Sequence, residues 1–167
     1  MSKIRILCDL ASAPVPVPPS WYAIPLRLIA GYGFFSHGYA KLARGPDHFA
    51  SILAAMGMPF PDVLGWTTVV VELLGGMMVI AGAFVPLVTA PMTAILLVAT
   101  FTVHLPNGFS SIKLLSYDAA GAHFGPPGYE TDLLYLAALL ALCIAGTGPM
   151  SVDSCVQSAR RRKKRLP

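Results

Sequence analysis

PDVLGWTTVVVELLGGMMVIAGAF, residues 61–84, decides the fold. Its only charged residues are Asp62 at the start and Glu72 near the middle, and it is longer than the ~20 apolar residues a helix needs to cross about 30 Å of hydrocarbon. Three other stretches have the same character: Ser20 to Leu42, Pro86 to Leu105, and about Glu130 to Gly148. The last is the least apolar, with its strongly apolar part confined to Leu133 to Ile144, but the residues after it stay uncharged for several positions. Between the first two stretches, Phe49, Ile52, Leu53 and Met56 recur at helical spacing within Pro46 to Met58. That spacing predicts an amphipathic helix lying in the membrane interface. The expected fold is therefore all-α: a four-transmembrane-helix bundle with a short interfacial helix between the first and second spans.

Composition agrees with a bilayer environment. The 167 residues are 55% hydrophobic and 12% charged, with a mean hydropathy of +0.65, whereas soluble domains carry roughly 25% charged residues. The net charge of +4 arises in one place, since Arg160 to Arg165 supply six of the twelve Lys and Arg, and the other six stand against eight acidic residues. No aromatic residue interleaves with that run, which argues against nucleic acid and for attraction to anionic lipid headgroups. The stretch Pro14 to Pro19 cannot form a helix. Three units follow: a cytoplasmic arm over 1–19, the membrane domain over 20–150, and a basic cytoplasmic tail over 151–167. Cys8, Cys143 and Cys155 form no CxxC pair and read as structural thiols, and Cys8 has too short an apolar run before it for a signal sequence.

Basic residues at both ends and an even number of crossings put both termini in the cytoplasm. Pro86 suits the first turn of a helix reached through a tight connection, while the Gly- and Pro-rich Pro106 to Tyr129 reads as a long solvent-side loop. Asp62, Asp118, Asp132, His48 and His123 read as ordinary solvated residues. Gly31, Gly33, Gly38, Gly75, Gly76 and Gly82 fit close helix approach.

Ionisable residues inside a span cost about 2.5 to 3.5 kcal/mol on insertion scales and are functional candidates by default. Arg27 lies roughly 10 Å into the first span and Glu72 roughly 16 Å into the oppositely directed second span, so the two are expected to meet as an ion pair, either a structural latch or a functional pair. His37 and Lys41 share a helix face near the outer boundary. His104 and Glu130 reach the same height, with Tyr135 just below. One cluster of His37, Lys41, His104 and Glu130 above Arg27 and Glu72 is expected. No HxH, HxxxH or ExxH pair points to a metal.

Read in order, Arg27-Leu-Ile-Ala-Gly31 with Gly38 and Lys41, Glu72-Leu-Leu-Gly75-Gly76, His104-x-x-Asn107-Gly108-Phe109, Gly128-Tyr129-Glu130, and Gly146-x-Gly148-Pro149-x-Ser151-x-Asp153 resemble the DoxX family from about Trp21 to Asp153. The resemblance implies a small bacterial inner-membrane protein with a four-helix bundle, in a family related to a subunit of a thiosulfate:quinone oxidoreductase and to membrane partners of redox and thiol-stress proteins. It carries over Arg27, Lys41, Glu72, His104, Asn107 and Glu130; His37 and Tyr135 rest on depth alone. The insert between Phe109 and Gly128 is longer than in other versions of the loop.

The expected function is a redox-associated subunit that handles a quinone or quinol, with His37, His104 and Glu130 moving protons and Arg27, Lys41, Glu72, Asn107 and Tyr135 binding the substrate. No flavin, haem or iron–sulfur motif is present, so electrons would come from a redox partner protein. The alternatives are a non-catalytic scaffold that binds partners and a small-solute transporter. Oligomeric state is left open.

Overall fold

The computed structural model describes residues 18–163. The expected arm over 1–19 lies almost wholly outside those residues, as do Cys8 and the end of the basic run at Lys164 and Arg165. A short 3-10 turn over Pro19–Tyr22 leads into α1 (Ala23–Arg44), and α2 (Pro46–Ala55), α3 (Pro61–Ala81), α4 (Val85–Ala99), α5 (Glu130–Ala145) and α6 (Val152–Lys163) follow. Among the described residues two helices are long and apolar enough to cross a membrane: α3, and α4 with its continuation through Asn107.

Each boundary has a local cause. Pro46, Pro61 and Pro86 occupy first turns, where the missing N–H goes unused and the fixed φ is already helical. Gly82 closes α3 at φ +64°, a left-handed conformation that glycine adopts without strain. The connection to α4 is as tight as its sequence predicts. Its free amides are capped from far along the chain, for the Asp153 carboxylate accepts the N–H of Phe84 at 2.8 Å and of Val85 at 3.2 Å.

Helices α1 and α3 touch through backbone. A methyl group added to Gly31 would lie 2.6 Å from the Gly76 carbonyl oxygen, and one added to Gly76 would lie 2.6 Å from that of Gly31. Small residues allow this approach, which supplies the van der Waals contact that lipid cannot. Gly75 receives Met92 of α4, and Gly33 receives the Tyr135 hydroxyl of α5. The core gathers Ala23 and Phe34, Val79, Val85 and Met92, and Leu139 and Leu142. Around it, Ile29, Tyr32, Val70, Leu74, Leu87, Leu134 and Leu140 stand exposed, the reverse of a soluble surface.

The all-α expectation fails in one segment. Within the long loop, Leu114–Asp118 (β1) and Gly121–Phe124 (β2) pair antiparallel. The turn explains them: Asp118 Oδ1 accepts the Ala120 N–H at 2.8 Å, and Gly121 sits at φ +119°, so an Asx turn reverses the chain between two short apolar runs.

Candidate functional site

The expected single cluster resolves into two polar centres and two sets of structural ties. The first centre lies on α1, α2 and α3. Lys41 Nζ reaches both Glu72 oxygens, at 2.5 and 2.7 Å, and stands 5.0 Å from the Phe49 ring centroid. The Glu72 carboxylate is buried, whereas Lys41 is partly open. The ammonium forms one wall of a groove of about 250 Å³ lined also by His37, Arg44, His48, Phe49 and Ile52. His37 and Lys41 share this groove, as their spacing predicts. His48, read from sequence as merely solvated, joins them because α2 folds back beside the last turns of α1.

Glu72 does not meet Arg27. Gly38, eleven residues past Arg27, is the α1 residue that packs on Glu72, which separates the two charges by about 16 Å along the helix axis. The depth argument failed because α3 starts higher than assumed. Its first turns lie against α2, where a methyl on Gly65 would come within 3.3 Å of Ala50, so Arg27 faces Gly82 instead. Arg27 is 4% exposed, and its Nη2 donates to the carbonyls of Pro149 at 3.4 Å and Met150 at 3.2 Å.

The second centre joins α4 to α5. His104 Nδ1 lies 2.6 Å from Asp132 Oδ2, and Thr100 Oγ1 lies 3.0 Å from the same oxygen. Asp132 is only 4% exposed, which corrects its reading as a solvated residue. Thr100 to His104 form a π-helical turn, an i→i+5 irregularity that often marks functional sites. With Nδ1 engaged by the Asp132 carboxylate, Nε2 is the ring nitrogen left to other partners. Tyr135, one turn below, packs edge-on against Phe34 at 5.7 Å between centroids.

Glu130 and Asn107 do not join either centre. Glu130 Oε2 accepts the Ser111 N–H at 3.0 Å, and Asn107 Nδ2 donates to the carbonyls of Val103 and Pro127, so both fasten the loop to the helix ends. Sequence reasoning missed Asp132, Thr100 and Asp153. The i, i+4 pair Thr100 and His104, facing the start of α5, was the available signal for the first two.

Packed small residues, buried acid–base pairs and an exposed apolar girdle define a helical membrane protein. The chain belongs to the DoxX family, whose model matches residues 22–105. It is also similar to an uncharacterized protein of Haemophilus influenzae (strain ATCC 51907 / DSM 11121 / KW20 / Rd), at 25% identity over 145 residues covering 84% of this chain and 87% of that one. No solved structure gives a significant match.

Proposed function

We propose that this chain is a four-span subunit of the bacterial inner membrane, with both termini cytoplasmic, that handles a quinone or quinol near the outer surface beside a redox partner protein. α1, at 22 residues, is about 33 Å long and serves as the first span; α5, at 16 residues, is the shortest span once α4 is counted with its continuation through Asn107, and α2 lies in the interface. The groove at Lys41 carries the reading. Phe49 and Ile52 offer an apolar surface to a flat ring, while Lys41, His37 and His48 supply hydrogen bonds to its carbonyl oxygens and positive charge for a developing anion. His104, oriented by Asp132, is a second group whose ring can give or take a proton. Electrons pass to and from the partner, which carries the redox cofactor.

The test is titration of the purified protein in lipid nanodiscs with a short-chain ubiquinone. Saturable binding is expected, weakened about tenfold or more by the pair His37→Ala and Phe49→Ala, in keeping with the loss of a hydrogen bond and an aromatic contact. Absence of saturable binding to the wild-type protein would remove the reading. The scaffold alternative draws on Glu130, Asn107 and Arg27, which are spent on ties within the chain; it expects co-purifying protein and no quinone.

A further inference from the structure

The hairpin β1–β2 is two-faced. Cross-strand partners share a face, so the register Leu114↔Phe124 and Tyr117↔Ala122 puts four apolar residues on one side, and Ser116↔His123 and Asp118↔Gly121 define the other. Leu115, the extra residue at the bulge, packs over Gly125. On the polar side His123 Nε2 and Asp118 Oδ2 pair at 2.9 Å, both more than half exposed. On the apolar side none of the described residues covers Leu114, Tyr117 or Phe124, and Tyr117 is 80% exposed.

We infer that this hairpin lies flat on the bilayer, with Leu114, Tyr117, Ala122 and Phe124 sunk into the boundary between headgroups and acyl chains. Three observations favour lipid over other occupants. Exposed apolar residues follow one another along the chain from Phe101 and Leu105, in the turns that continue α4, through Phe109 and Ile112 to the hairpin, and α4 with this continuation is long and apolar enough to face lipid. The base of the loop is fixed at that level, through Asn107 to Pro127, Glu130 to Ser111, and the Gly128 N–H to Ser110. The polar face opposite carries charge and faces water. An isolated two-stranded hairpin is marginal in water, and immersion of one face by about 5–10 Å, as amphipathic interfacial elements do, supplies the missing cover. Tyr117 is the aromatic type that favours this depth.

Single-tryptophan probes test the placement. In a Trp21→Phe/Trp66→Phe background, Tyr117→Trp and Phe124→Trp report the apolar face and Ser116→Trp the polar face, all at exposed positions that tolerate the change. In phosphatidylcholine vesicles carrying a shallow nitroxide on the acyl chain, the first two are expected to be quenched several-fold more than the third, and Ser116→Trp several-fold more by aqueous iodide. Equal iodide quenching at all three positions would overturn the inference. So would protection of Tyr117→Trp from both quenchers, which would mean that a protein, such as a second copy of this chain, covers the face.

Discussion

Lys41 and Glu72 depend on each other, because the carboxylate is buried and the ammonium is its partner at both oxygens. Removing one partner of a buried pair leaves an uncompensated charge, at about 3–5 kcal/mol, whereas replacing both by apolar groups is often close to neutral. Lys41→Met is therefore expected to lower stability by about that amount in detergent unfolding, and Lys41→Met/Glu72→Leu to recover most of it. Asp153→Ala should cost about 1–2 kcal/mol through loss of the α4 cap, read in the same assay. These residues differ in how far the sequence exposed them. The buried charge of Glu72 was plain from its apolar neighbours, but its partner depended on the height at which α3 begins, which no local pattern records. Asp132 was hidden because Glu130 and Thr131 beside it make the start of α5 look wet; only the rotation of the helix turns Asp132 inward.

At the level of elements, the closest joint is the crossing of α1 with α3 at Gly31 and Gly76. Gly31→Ala and Gly76→Ala are each expected to destabilise by about 1–3 kcal/mol through overpacking. Once one methyl has pushed the helices apart the second meets less resistance, so the double substitution should fall short of the sum of the singles, as a double-mutant cycle in unfolding free energy would read. Helix positions were legible because apolar length and proline placement mark them. The hairpin was not: its strands are five and four residues long, and the glycine and proline around them read as loop alone.

For the molecule as a whole, the four-span reading places Lys113 and Cys155 on opposite sides of the membrane. In intact expressing cells, a membrane-impermeant maleimide is expected to label Lys113→Cys, and to reach Cys155 only after permeabilisation; labelling of both from outside would refute the single crossing by α5 between them and the cytoplasmic side of the C-terminus. The segment ahead of α6 and the first turn of α6 also lock the bundle, because they supply the carbonyls for Arg27 and the Asp153 cap for α4. A stop codon after Ser158 should leave the thermal transition near that of the full chain, and one after Gly146 should lower it markedly. That lock has a consequence for biogenesis. The carbonyls that receive Arg27 lie 122 and 123 residues downstream, so at elongation rates of about 5–20 residues per second they leave the ribosome on the order of ten seconds after α1 does. Until then the guanidinium must be kept hydrated or held by an insertion factor, and the nascent bundle stays open at that end until Pro149 and Met150 have emerged.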